Sequence, residues 1–351
     1  MALGVSQGFI RIQLDSHSLV AGDQLTGSIN LHITTPAPTY HLVLKFTGKE
    51  VYSYMESRRE RNWSGNYVTN KYPKSINSPL IKQVFPVAAF PAHVIPPGQY
   101  SYPFMIRTPS NLLPSLLLDR GETRAEVRYR LVAKADRNTW VQKAKSALTV
   151  TRELNPVEGV RALQTRPARL KSMCCFDRGT VSVSATLDKD AYFPGDLMVV
   201  SLKVDNKDSG LRVVACKANI YREIYLKDHI GNRNLTEERV NSASVPADIP
   251  AGKSLLSVQT VEIPIRVVES NGKAFTAPTV SAKLMGCAYR VEAEAEMAGW
   301  FMCCGQRAKA ILTFSVFKRP FREDRQGEIA QNWSPEVFPG LSFEAGPQFQ
   351  R

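Results

Sequence analysis

The chain has 351 residues, 43% hydrophobic and 22% charged, a balance that excludes wholesale disorder and suits about two globular domains. No apolar run approaches the roughly 18 residues of a membrane-spanning helix. Lysine and arginine total 45 against 32 acidic residues, and the net +13 favours acidic partners: lipid headgroups, phosphorylated tails or nucleic acid.

From the N-terminus onward, Met1 to Phe9 lacks the basic flank and apolar core of an export signal. Ala2 excludes N-myristoylation, and the final Gln348-Phe349-Gln350-Arg351 is not a prenylation box. The six cysteines include the adjacent pairs Cys174-Cys175 and Cys303-Cys304, a poor disulfide framework. A reducing, cytosolic setting is the expectation. Glycosylation sequons at Asn62, Asn234 and Asn332 keep a rival open, an exported Ig-like adhesion protein.

Three blocks occur twice, in the same order. Leu14-Asp15 with Gly22-Asp23 recurs as Leu187-Asp188 with Gly195-Asp196. Ile95-Pro96-Pro97-Gly98 recurs as Ile249-Pro250-Ala251-Gly252. Tyr129-Arg130-Leu131-Val132-Ala133-Lys134 recurs as Tyr289-Arg290-Val291-Glu292-Ala293-Glu294. Two copies of one fold are expected.

That fold is all-β. Ala125, Val127, Tyr129, Leu131, Ala133 and Ala135 alternate with Arg124, Glu126, Arg128, Arg130 and Lys134, the period of a strand with one buried face. Val181, Val183, Ala185 and Leu187 alternate likewise with polar neighbours, and turns such as Phe193-Pro194-Gly195-Asp196 separate the runs. Tandem antiparallel β-sandwiches follow. The best helical candidate, Asn111 to Leu118, is interrupted by Pro114. The expected limits are 8–154 for the first sandwich, 155–172 for a linker, 173–318 for the second sandwich and 319–351 for a mobile or loosely docked tail.

Candidate surfaces come in the same order. Tyr52 to Pro79 reads as a long solvated loop, basic and aromatic, in which Arg58, Arg59, Trp63 and Tyr67 have no specific role, contact cargo, or stack on single-stranded nucleic acid. Arg124, Arg128, Arg130 and Lys134 share one side of a strand and form a candidate basic face for acidic or phosphorylated peptide. Gly299 to Gly305 reads as a hairpin tip. Trp300, Phe301 and Met302 would supply an apolar wedge, with Arg307 and Lys309 as a basic collar and Cys303 and Cys304 as acylation sites, against an anionic membrane. The bland alternative packs those aromatics on the sandwich. The cysteine pairs read as small hydrophobes or acylation sites rather than as zinc ligands.

No phosphate loop, dinucleotide turn or nucleophile elbow occurs, and the five histidines are scattered. No enzyme activity, metal or cofactor is expected.

Two β-sandwiches with these blocks resemble the arrestin superfamily, from about Gly8 to Pro320. Pro97-Gly98-Gln99-Tyr100-Ser101-Tyr102-Pro103-Phe104 is similar to the Pro-Gly-x-x-x-Tyr/Phe-Pro-Phe block of arrestin-domain-containing (α-arrestin) proteins. Tyr129 to Ala135 is similar to the Tyr-x-Val-x-Ala strand that follows it there. The resemblance implies a non-enzymatic adaptor, cytoplasmic and peripheral at plasma membrane or endosomes. Such an adaptor would bind cytoplasmic tails of membrane proteins and link them to sorting or ubiquitin-ligase machinery. The Pro-Pro-x-Tyr motif that recruits WW-domain ligases in that group is absent. Arg152 aligns with the arginine of the interdomain cluster in receptor-desensitising arrestins, and Val268 to Val280 offers Glu269 alone as an acidic partner. The coat alternative resembles the arrestin-like subunit of retromer.

Overall fold

The computed structural model describes residues 8–135, 143–153, 156–161, 164–172, 176–231, 233–252, 258–273, 275, 277–298, 307–319 and 333–344. Among them there is no helix; the regular structure is all strand. The chain divides into two compact units. One is built on Met1–Glu153 with Ala282–Leu284 and Pro320–Arg351; the other takes Leu154–Ser281 and Met285–Arg319.

The first unit opens with β1 (Gly8–Leu14), β2 (Ser18–Val20), β3 (Gln24–Ile33) and β4 (Ala37–Pro38). Next come β5 (His41–Arg61), β6 (Tyr67–Ala89), β7 (Val94–Ile95) and β8 (Gly98–Arg107). Strands β9 (Leu116–Arg120), β10 (Thr123–Ala135) and β11 (Lys143–Thr151) complete its N-terminal part. One sheet runs β1-β3-β8, and the other runs β2-β11-β10-β5-β6 with β9 also on β10. Leu116–Arg120 lies within and beyond the stretch with a weak helical signal, and Pro114 precedes it; the chain there pairs with β10 instead.

The second unit repeats this plan. Within residues 155–172 lie β12 (Glu158–Arg161), β13 (Gln164–Arg166) and β14 (Ala168–Ser172). They pair with β15 (Phe176–Lys189) and β23 (Lys309–Val316), so much of the stretch read as a linker is sheet. The strands between are β16 (Ala191–Tyr192), β17 (Leu197–Asp205), β18 (Val213–Lys227), β19 (Arg233–Ile249), β20 (Val258–Arg266), β21 (Val280–Ser281) and β22 (Met285–Met297). The path β15-β17-β20 mirrors β1-β3-β8, and β23-β22-β18-β19 mirrors β11-β10-β5-β6. Even the short parallel pairing of β2 with β11 returns as β16 with β23. Leu14 and Leu187 thus lie on the equivalent strands β1 and β15, and Tyr129 and Tyr289 on β10 and β22, whereas Ile95 lies on β7 and Ile249 ends β19.

Each core is made by the period-2 pattern. Along β10 every odd residue from Ala125 to Ala135 is buried and none of the even ones is. They meet Leu42, Leu44 and Phe46 of β5 from the same side of the sheet and Ile29, Leu31, Phe104 and Ile106 from the facing sheet, all nearly inaccessible. Fully burying such a side chain contributes about 1.5–3 kcal/mol relative to exposure. Gly48 is required where it stands, because a Cβ there would lie 2.4 Å from a ring carbon of Tyr129. The buried Glu50 carboxylate accepts the backbone N–H groups of Lys283 and Leu284 at 3.2 and 2.6 Å, which ties residues 282–284 into the first unit.

Part of the tail is docked. Strands β24 (Glu336–Val337) and β25 (Leu341–Glu344) both pair in parallel with β8 of the first unit.

Candidate functional site: a basic sheet face and an aromatic hairpin

The outer face of the β11-β10-β5-β6 sheet carries the charge. Arg124, Arg128, Arg130 and Lys134 do share this face, but register and ion pairing sort them. Arg124 reaches Asp119 and Glu126 at 3.8 and 3.6 Å, and Arg128 pairs with Glu126 at 2.5 Å. Those two guanidiniums are partly neutralised within the sheet. Arg130 and Lys134 have no ion pair among the described residues.

Neighbouring strands supply their companions. Val132 of β10 stands between Lys45 of β5 and Lys145 of β11, and Lys134 stands opposite Lys143. Thr47, opposite Arg130, has Lys82 of β6 on its other side. Lys49 lies opposite Arg128. Lys45, Lys49, Lys82, Arg130, Lys134, Lys143 and Lys145 therefore cover four strands about 4.8 Å apart. None of them has an acidic partner among the described residues. Burial, then the ammonium groups of Lys134 and Lys82, hold Lys45 below the ordinary lysine value. The result is a patch of like charge with no counter-ion among the described residues.

The equivalent face of the second unit is different chemistry. Where β10 turns Arg130, Val132 and Lys134 outward, β22 turns Arg290, Glu292 and Glu294. Arg290 bonds Glu223, with Glu237 at 2.8 Å and Glu292 at 3.2 Å, and lies over the Tyr221 ring at 4.9 Å. Lys309 takes the other oxygen of Glu292, and Lys217 takes Glu296. This face is an internally balanced salt-bridge network.

Tyr52 to Pro79 is not a loop. β5 and β6 are strands of 21 and 23 residues paired out to Arg61–Tyr67, so the turn itself is only Asn62 to Asn66. The outer half lacks apolar alternation because neither of its faces is buried, which is why its strand character is hidden in the sequence. Cross-strand pairs hold it: Tyr72 donates to Glu60 at 2.8 Å, and Arg59 lies over the Tyr67 ring at 4.6 Å. Asn70 and Tyr72, by donating to Glu60, keep that carboxyl below its ordinary value. Arg58 pairs with Glu56 and stands over Tyr72, and Arg61 donates to the Gly65 carbonyl at 2.9 Å. At the tip Trp63 is 98% exposed and Tyr67 62% exposed.

A second exposed tip was not foreseen. The β18–β19 hairpin is the repeat's counterpart of β5–β6, and it exposes Ile230 and Leu235. Alignment of the repeated blocks carries the signal for it, since that places a long hairpin at the same point of each copy.

The other candidates fall as follows. Arg152 is exposed and donates to the Leu112 carbonyl at 3.4 Å. Glu269, considered as its acidic partner, pairs instead with Arg222 at 3.0 Å, and Glu238 takes the other nitrogen of that buried guanidinium at 2.9 Å. Burial opposes the Arg222 charge, but the two carboxylates outweigh it and its pKa is raised. Trp300, Phe301, Met302, Cys303 and Cys304 lie outside the described residues, as do Cys174 and Cys175. Among the described residues no cluster of His, Cys, Asp or Glu is arranged to hold a metal ion, and no helix is long and apolar enough to cross a membrane.

Comparison with known proteins agrees with this architecture. Residues 10–156 match the family model for the N-terminal domain of arrestin (or S-antigen), and residues 177–321 match the model for its C-terminal domain. Arrestin domain-containing protein A of Dictyostelium discoideum is 26% identical over 200 residues, which covers 56% of this chain and 34% of that protein. The match thus spans about a third of that relative's length. With both domains matched in order on two repeated sandwiches, the chain belongs to the arrestin superfamily, and within it is α-arrestin-like.

Proposed function

We propose that the protein is an adaptor that binds acidic cytoplasmic segments of membrane proteins through its first domain and connects them to trafficking machinery. Arrestin-family proteins are generally non-enzymatic adaptors, and that supports the class of function. The observation that carries the reading is the seven cations on one sheet face that have no acidic partner among the described residues, set against a salt-bridged equivalent face in the second domain. The Trp63 tip is the apolar half of the surface: a wholly exposed indole on a rigid two-stranded arm suits contact with a membrane-protein cargo.

A charge-assisted hydrogen bond is worth about 1.5–3 kcal/mol when partly shielded. Reversing Arg130 and Lys134 to Glu in the full chain should therefore weaken binding of a phosphorylated, acidic tail peptide by tenfold or more, roughly 1.4 kcal/mol or above. Reversing Arg124 should do much less, since Asp119 and Glu126 already share it. Fluorescence anisotropy at two salt concentrations reads both effects. Equal affinity of the Arg130/Lys134 variant and the unaltered chain would remove this face from the binding surface.

A further inference from the structure

We propose that the outer edge of β8 is a docking site for an extended, aromatic-rich partner peptide, and that the chain's own residues 333–344 are a poorly fitting occupant of it. The site is on the other sheet of the first domain from the basic face, and the inference does not rest on that face.

The tail lies on β8 as an added strand. Glu336 and Val337 pair with Tyr100 and Ser101, and Leu341 to Glu344 pair with Phe104 to Arg107, all in parallel. Side chains fix the register. The Phe338 ring stacks on Tyr102 with centroids 4.6 Å apart and planes at 9°, and Phe343 lies 4.8 Å from Phe85. Farther back Trp333 stands over Phe9 at 6.2 Å, and the Ser334 N–H donates to the Gln99 side chain at 2.9 Å. These are the features of peptide recognition by strand addition: backbone pairing along an edge, with alternate side chains in pockets.

The fit fails in the middle. Past the Phe338 N–H, which still donates to the Ser101 carbonyl at 3.0 Å, the ladder lapses until Leu341, with Phe338, Pro339 and Gly340 set against Tyr102 and Pro103 of β8. At this interruption an apolar cavity of ≈ 540 Å³ lies between Val87, Ala88 and Phe90 on one side and Phe338, Pro339 and Leu341 on the other. Its lining atoms lack the packing partners that a filled groove would give them. The sandwich does not need the tail to close its sheet either: β20, the equivalent strand of the second domain, ends its sheet with no such addition among the described residues. A peptide that keeps aromatics at the Phe338 and Phe343 positions and puts a bulky aliphatic residue at the Pro339 position fills the cavity that the tail leaves open.

The test uses the full chain and two labelled peptides, one with the sequence of residues 333–344 and one carrying Pro339→Leu. If the tail leaves the edge open a tenth of the time or less, the variant F338A/F343A should bind the native-sequence peptide about tenfold more tightly than the unaltered chain does. The Pro339→Leu peptide should bind either chain about tenfold better than the native one, through filling of the cavity. Ala88→Arg, which puts a charge into the cavity, should abolish that second gain. In the unaltered chain, saturation with the Pro339→Leu peptide should speed amide hydrogen exchange of residues 336–344, a readout independent of whether any variant folds. Equal affinity of both chains, a Pro339→Leu peptide no better than the native one, or tail exchange unchanged at saturation would each overturn the proposal.

Discussion

Tyr129 and Tyr289 occupy the same place in the two copies and do the same thing. Each is almost wholly buried, and each phenol donates to a backbone carbonyl earlier in the chain: Tyr129 to Leu113 at 2.9 Å, Tyr289 to Ala277 at 2.7 Å. Each therefore pins an irregular connection to the middle of its own sheet. Phe46 packs on Tyr129 and Phe275 on Tyr289, so the rings are fixed from the side as well. Replacement by Phe keeps that packing and removes only the donor, leaving a buried carbonyl without its bond. Tyr129→Phe and Tyr289→Phe should each destabilise their own domain by about 1–3 kcal/mol. Denaturant midpoints measured for the two variants check this; midpoints equal to that of the unaltered chain would show that water satisfies the carbonyls. The equivalence was legible in the sequence as the repeated Tyr-Arg pair. The bonds were not, because Leu113 and Ala277 lie in connections of dissimilar sequence.

At the scale of strands, the basic face is an arrangement that strains its own fold. Burial first, and then the ammonium groups of Lys134 and Lys82, lower the pKa of Lys45, so that its charged form is disfavoured there. Lys45→Met should then raise stability slightly, by a few tenths of a kcal/mol as for other exposed like-charge neighbours, while weakening binding of an acidic peptide. A variant that lost both stability and affinity would mean that the lysine stem is packed into the sheet and that repulsion is the smaller effect. Only part of this face could be read in advance. The even spacing of Arg124, Arg128, Arg130 and Lys134 places them on one side of β10, but their companions on β5, β6 and β11 follow only from pairing register. The same run hid its own acid, since Glu126 sits between Arg124 and Arg128 and partly neutralises both. Strand β10 itself was plain because one face is buried; the outer halves of β5 and β6 were not, because both faces are wet. The tail strands were illegible for another reason. Two and four residues flanking Pro339-Gly340 carry no period, and their partner β8 lies more than two hundred residues away in the chain.

The whole molecule is two sandwiches that share one plan and differ in charge, and the plan sets how both respond to alkali. Burial raises the pKa of Tyr129, Tyr192 and Tyr289 far above the ordinary phenol value, and that of Tyr102 to about 12. In the unfolded chain these groups ionise near pH 10. Above that pH the unfolded state has lost protons that the folded state still holds, so ionisation favours unfolding. Stability is complete below about pH 10 and falls as the pH rises toward the folded values, by about 1.4 kcal/mol per unit for each phenol held neutral. Lys45 works in the opposite direction, since its folded value is lowered, but it is one group with a small shift against several. Tyr129 and Tyr102 belong to the first unit and Tyr192 and Tyr289 to the second, so neither domain escapes. The guanidinium midpoint of the unaltered chain should accordingly be flat from about pH 8 to 9.5 and drop steeply by about pH 10.5. Tyr129→Phe and Tyr289→Phe, less stable at neutral pH, should lose less over the same interval, each in its own domain. Parallel curves for the variants and the unaltered chain would show that these buried phenols do not set the alkaline loss.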